Sequence, residues 1–234
     1  MNLGENILIA VVFATYIAIA AFFVVFKLNY FQITDIKVVG AKNSSEAELL
    51  RRAGIRAGYT NIFFSTNKLK MQILKNPWIT DVNVRKEYPR KVIIEVTEQS
   101  PFCLLIDHKG DMYYLSKKGV ILAEANFSNG LDFPVLISKG IESQQLIKNA
   151  VQVLSLSASS NVLSWEEISE INIDPVYGLK VFTKDKRRID FGKGDIRTKW
   201  KNVEKIITHS ITINMKEKYI HIDRATMGVV GFNL

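Results

Sequence analysis

The sequence predicts an α+β protein: an N-terminal transmembrane helix, a compact βααββ module, then a mostly β domain with flanking helices. Three observations carry that prediction. An uncharged run of twenty residues lies near the start, at Ile7–Phe26. Between Phe31 and Gln99, short alternating apolar stretches bracket two segments of helical periodicity. Beyond Pro101, short apolar segments recur between turn signals at close spacing.

The first run, ILIAVVFATYIAIAAFFVVF, carries no charge, proline or glycine. Twenty helical residues rise about 30 Å, the thickness of a bilayer's hydrocarbon core. A lone segment there must pair every backbone amide internally, so it is a helix. Ile7, Phe13, Phe22 and Phe26 are its lipid-facing candidates. Ala18-Ile19-Ala20 has the form of a signal-peptidase site, but the apolar run continues through Phe26 and no basic residue precedes Ile7. A retained anchor is the expectation. The flanking charges do not orient it: Glu5 lies before the helix, and Lys27, Lys37 and Lys42 follow.

The chain has 234 residues and a formal net charge of +8. What remains after the anchor is enough for one large domain or two small ones. A basic balance favours acidic partners, anionic headgroups or nucleic acid. Nucleic acid is disfavoured by the tether and by the lack of interleaved aromatic and basic residues. The single cysteine, Cys103, sits in the apolar run Phe102–Ile106, where it reads as core filler.

In the first module, Ile33, Ile36, Val38 and Val39 form a strand ending at Gly40. Ser45 and Glu48 have capping-box spacing and open a helix through Ala53, with Gly54 as its stop. A second helix, Thr66 to Leu74, places Leu69 and Ile73 on one face, and Asn76-Pro77 ends it. Ile79, Val82 and Val84 lie in the next strand; Val92, Ile94 and Val96 alternate in the last, after the turn Tyr88-Pro89-Arg90. Three strands with both helices on one face is the economical packing.

Further on, strands are expected at Phe102–Ile106, Met112–Leu115 and Val120–Leu122, separated by turn signals. A helix from about Ser143 to Ser157 aligns Leu146, Ala150, Val153 and Leu154. Strands follow at Ile168–Ile173, Leu179–Thr183 and Arg188–Phe191, the last two as a hairpin. Asp195 then caps a helix with Ile196, Trp200, Val203 and Ile207 on one side and Arg197, Lys199, Lys201 and Lys205 on the other. Tyr219–Asp223 alternates again, and Val229–Phe232 is apolar.

Motifs for chemistry are lacking. His108, His209 and His221 are far apart and show no ligand spacing. Gly192-Lys193-Gly194 lacks the phosphate-loop pattern, and no G-x-S-x-G elbow occurs. The informative surface is instead an edge, because a sheet-rich region with a strand near its end leaves backbone groups for a partner strand.

The stretch Phe31–Pro101 resembles a POTRA domain. Its markers are Ile36-x-Val38-x-Gly40, Gly58-x-x-Asn61-x-Phe63, Pro77-Trp78-Ile79, and Val84-x-Lys86-x-Tyr88-Pro89 running into Val92-x-Ile94-x-Val96-x-Glu98. Directly after a single anchor, this arrangement is similar to the FtsQ/DivIB family of bacterial cell-division proteins. Pro134–Ile137 and the later order of elements resemble that family's β domain. The resemblance implies a cytoplasmic tail at 1–6, a transmembrane helix at 7–28, a POTRA domain at 31–99 and a β domain at 101–234.

It further implies a non-enzymatic divisome scaffold in the bacterial inner membrane, linking early and late division proteins. The N-terminus would be cytoplasmic, the later domains periplasmic, and the protein enriched at the septum. The implied partners are an FtsB/FtsL-like complex, other divisome components and the lipid bilayer, with no cofactor, metal, nucleic acid or small-molecule substrate. The partner edge would involve Tyr219, Ile220, Ile222, Arg224, Gly228, Val230 and Phe232. Where the family reads Tyr-x-Asp-Leu-Arg-Tyr, this chain has Ile222-Asp223-Arg224-Ala225 and lacks the second tyrosine. The basic residues Arg197, Lys199, Lys201 and Lys205 would meet acidic partner residues, or form a solvated face. Two other readings remain. A POTRA-bearing outer-membrane assembly or secretion factor would bring a barrel of roughly ten-residue strands. A membrane-tethered hydrolase would need a nucleophile and a base.

Overall fold

The computed structural model describes residues 3–27, 30–125, 132–138, 140, 144–224 and 227–232, and shows side chains for most of them. Helix α1, Leu3–Lys27, takes in the uncharged run and begins four residues before it. Its window Ile7–Val24 is long and apolar enough to cross a membrane, and none of it is buried by protein. Ile7, Phe13 and Phe22 are exposed. A helix apolar all round with no protein against it fits a membrane anchor. The side chain of Phe26 lies outside the described residues.

The remaining chain divides between Gln99 and Ser100. In the first unit, β1 (Asp35–Val39), α2 (Glu46–Ala53), α3 (Thr66–Ile73), β2 (Ile79–Glu87) and β3 (Lys91–Glu98) follow in the expected order. The sheet order is β1-β3-β2, with β1 parallel and β2 antiparallel to β3. Val92, Ile94 and Val96 of β3 share a core with Val82, Leu49, Leu69 and Ile73, so both helices cover one face.

Gly40 shows why the strand must end there. At φ +92° its missing Cβ makes room for the Val96 carbonyl, which a Cβ would meet at 2.1 Å. The capping box does not form. Ser45 makes no side-chain cap, and Glu48 instead pairs with Arg52 at 2.8 Å, one turn along. Glu98 accepts the backbone N–H of Asn43 at 2.8 Å and of Ser44 at 2.9 Å, tying the end of β3 to the start of the α2 segment. Burial pushes its carboxyl up, but these hydrogen bonds prevail and hold it below the usual range.

The second unit holds β4 (Pro101–Ile106), β5 (Met112–Ser116), β6 (Ile121–Glu124), β7 (Val135–Ser138), α4 (Gln144–Ser157), β8 (Ile168–Asp174), β9 (Gly178–Thr183), β10 (Arg188–Gly192), α5 (Ile196–Thr212), β11 (Glu217–Arg224) and β12 (Met227–Phe232). All nine strands form one sheet, ordered β12-β11-β10-β9-β8-β7-β4-β5-β6. Helices α4 and α5 are the crossovers of two parallel pairs, β7–β8 and β10–β11. Both bury their apolar stripes in the same core, where Trp200 stacks on Phe191 with ring centroids 6.1 Å apart. Cys103 is buried in that core, and burial pushes its thiol up to about 12.

Candidate partner-binding edge

β12 is the last strand of the wide sheet. It pairs antiparallel with β11, with Tyr219 opposite Gly231, Ile220 opposite Val230 and His221 opposite Val229. No other described strand pairs with it. The outer main-chain groups of Met227–Phe232 are therefore free of sheet partners among the described residues.

What holds β12 in place is built from both faces. On the helix side, Val230 packs against the core, and the backbone of Gly228 lies close under Ile206 of α5, where a Cβ would come within 3.1 Å. On the other side the Tyr219 ring covers Gly231, so that a Cβ there would meet the ring at 2.2 Å. The Arg188 guanidinium lies 5.7 Å from that ring. At the start of β11, buried Glu217 stands opposite Phe232 and pairs with Arg187 at 3.5 Å. Arg187 also pairs with Asp185 at 3.3 Å, which joins β11 to the β9–β10 hairpin. Asp190 of β10, buried beneath the sheet's open face, lies 3.4 Å from Nδ1 of His221.

Several expected partner residues fall elsewhere. β11 is an interior strand, between β10 and β12, so Tyr219, Ile220, Ile222 and Arg224 do not form the free edge. Ile220 and Ile222 are fully buried and face the core, because they occupy the inward phase of the strand's alternation. Half-buried Tyr219 faces the other way, over Gly231. The backbone of Arg224 belongs to β11, and its side chain lies outside the described residues. Gly228, Val230 and Phe232 do lie on the edge strand. Sequence reading missed Val229, which is 59% exposed on this strand. Its one sequence signal is the alternation that turns Val230 inward.

The basic helix side also needs correction. Arg197, Lys201 and Lys205 are exposed, but Lys199 is only 3% exposed. Its ammonium donates to the carbonyls of Phe191 at 2.7 Å and Lys193 at 2.5 Å, fastening α5 to the end of β10. Position 199 lies three residues after Ile196 and next to Trp200, on the buried stripe, and a lysine can reach out of such a place to carbonyls. Lys201 and Lys205 instead line an open groove with Ser160 and His209, and Lys205 adjoins the Ile206 that contacts the edge.

The four sheet edges differ in composition. β1 carries Asp35 and Lys37, β2 carries Asp81, Arg85, Lys86 and Glu87, and β6 has four residues ending in Glu124. β12 reads MGVVGF, with no charge. Charges and shortness are the usual devices against unwanted strand pairing, and β12 lacks both.

Known proteins show the same architecture in sequence. The profile of the POTRA domain, FtsQ-type, matches residues 31–99. That of the C-terminal region of cell division protein FtsQ/DivIB matches residues 104–223. Cell division protein FtsQ of Anaeromyxobacter sp. (strain K) is 23% identical over 207 residues, covering 84% of this chain and 69% of the relative. FtsQ of Geobacter sp. (strain M21) is 29% identical over 165 residues, 67% of this chain and 60% of the relative. Cell division protein DivIB of Clostridium acetobutylicum is 23% identical over 201 residues, 81% of this chain and 79% of the relative. With both profiles matched in order behind an apolar helix, the chain belongs to the FtsQ/DivIB family of cell-division proteins.

Proposed function

We propose that this protein is a non-enzymatic divisome scaffold that receives a strand from an FtsB/FtsL-like complex on the free side of β12 and so links early and late division proteins. The observation that carries the reading is the uncharged, one-sided edge Met227–Phe232. An added strand takes its affinity from main-chain hydrogen bonds and its register from alternate side chains. Val229 and Phe232 are the side chains offered on β12, while Gly228 and Gly231 keep the strand close to its supports. Arg197, Lys201 and Lys205 supply positive charge for acidic partner residues, which raises encounter rate and salt sensitivity more than final affinity. In this reading α1 anchors the chain in the inner membrane with a cytoplasmic N-terminus, and both later units work in the periplasm, concentrated at the septum.

The test is copurification of full-length protein with the FtsB/FtsL-like pair of the same cell. Val229→Glu combined with Phe232→Glu should reduce recovery at least tenfold while leaving the thermal transition in place. Both sites are on the edge strand and outside the core, which makes them better probes than buried Ile222. Undiminished recovery of the partners by the folded double variant rejects the edge mechanism.

A further inference from the structure

At one pole of the POTRA unit four aromatic rings run in contact. Tyr30 meets Phe31 edge-on at 5.2 Å, Phe31 meets Phe63 at 5.1 Å, and Phe63 meets Tyr88 at 6.2 Å. Phe31 packs against the core. The other three are open: Tyr30 is 49%, Phe63 55% and Tyr88 62% exposed. The pole is well fixed. Ile62 donates its N–H to the Phe31 carbonyl at 2.9 Å, and Ile33 to Thr60 at 2.9 Å. Thr34 donates to the Arg90 carbonyl at 2.9 Å. The residues at 30–34, the loop before α3 and the β2–β3 turn are thus locked together.

This pole is where the chain arrives from α1. The apolar window Ile7–Val24 has 18 residues and rises about 27 Å, nearly the hydrocarbon thickness of a bilayer. α1 ends three residues later at Lys27. Tyr30 follows by three residues, a reach of at most about 10 Å. The headgroup layer on each side of the hydrocarbon is roughly 5–8 Å deep. Counted from Val24, three helical residues and this reach place Tyr30 at most about 15 Å from the hydrocarbon, within or just outside that layer.

The chemistry of the pole matches that depth. Tyrosine rings collect at membrane interfaces because one end is apolar and the other accepts hydrogen bonds. Cations beside them meet lipid phosphates. The Arg90 guanidinium lies 5.5 Å from the Tyr30 ring and gives one N–H to the Tyr30 carbonyl at 2.8 Å. Its remaining N–H groups suit phosphate oxygens. Arg56 lies 4.6 Å over the exposed Tyr59 ring in the adjoining loop.

We infer that this pole lies in the phospholipid headgroup layer, with Tyr30, Phe63 and Tyr88 among the glycerol groups and Arg56 and Arg90 on the phosphates. The POTRA unit is thereby held at a fixed attitude to the bilayer instead of swinging on its tether. The inference rests on the reading of α1 as a membrane-spanning helix.

It is tested with full-length protein in phospholipid nanodiscs containing one chain each, so that no second copy can shield the pole. Spin labels are placed by Tyr59→Cys, near the pole, and by Lys75→Cys, which follows α3 and lies next to Asn76 near the opposite end of β3. Cys103 is buried and does not compete for label. Position 59 should be several-fold less accessible than position 75 to a water-soluble nickel chelate. Adding Phe63→Glu and Tyr88→Glu, at two exposed sites, should restore access at 59. Equal access at both positions in the parent protein overturns the inference, as does shielding at 59 that persists in a folded double variant. Failure of the chain to enter discs at all counts separately, against the anchor.

Discussion

The edges of the two sheets are managed in opposite ways. β2 carries four charged residues along its length, and β1 is short and carries Asp35 and Lys37. The end of β3 between them is tied down by Glu98, which grips Asn43 and Ser44. β12 carries no charge, places glycines at 228 and 231, and leaves its outer side open. The contrast teaches where to look for a partner. Charges along the edges of a small sheet disfavour unwanted strand pairing, whereas an unguarded apolar strand on a wide sheet is an aggregation hazard unless something covers it. Glu217, Arg187 and Asp185 form a partly buried ionic chain at the start of β11, where Glu217 stands opposite Phe232.

Three substitutions measure that difference. The largest effect is expected at Arg187→Ala. It strands Glu217, whose side chain is 3% exposed, and should cost about 3–5 kcal/mol of β-domain stability in denaturant unfolding. The POTRA unit's own transition should stay where it is; a shift there would dissolve the comparison. Next is Glu98→Gln, which weakens the clamp on Asn43 and Ser44 and should cost about 1–2 kcal/mol, read in the POTRA transition.

The wild-type clamp carries a pH signature of defined sign. The folded-state pKa of Glu98 is depressed from an ordinary value of 4.5. Its stabilisation is therefore full above that value and is lost as pH falls through the lower, folded value. Glu98→Gln should flatten that acid-side slope. The third effect is the most local. Gly231→Ala drives a methyl into the Tyr219 ring and should weaken β12 by about 1 kcal/mol. Amide exchange should quicken over Met227–Phe232 and stay unchanged in β3. Slower exchange there would mean that the glycine is not needed for the ring to cover the strand.

The POTRA unit was the more readable half because its signals are local. The alternation Val92-Ile94-Val96, the stop at Gly54 and the break at Asn76-Pro77 each act within a few residues, and each falls where expected. In the β domain most strands were legible one by one, but β7 showed only as a family-like segment and the strand order was not legible. β7 lies between β4 and β8 with parallel pairing to both, an arrangement of segments far apart in sequence that no local residue pattern encodes. The errors at the candidate site were of another kind, because the residues did hold the answer. Ile220 and Ile222 share the inward phase of their strand, and Lys199 stands on the buried stripe of α5. Polarity alone suggested a surface lysine; periodicity placed it inside. Ser45 and Glu48 show the reverse case, where a correct spacing lost to a competing cation at Arg52.

The place of β12 in the sheet has a consequence for the order in which the protein matures. β11 reaches β10 only through α5, and β12 has only β11 to rest on. As the chain emerges with its N-terminal part first, β12 is the last described element that can form. A partner strand added at this edge, as proposed, would meet only chains in which β10 and β11 have already paired.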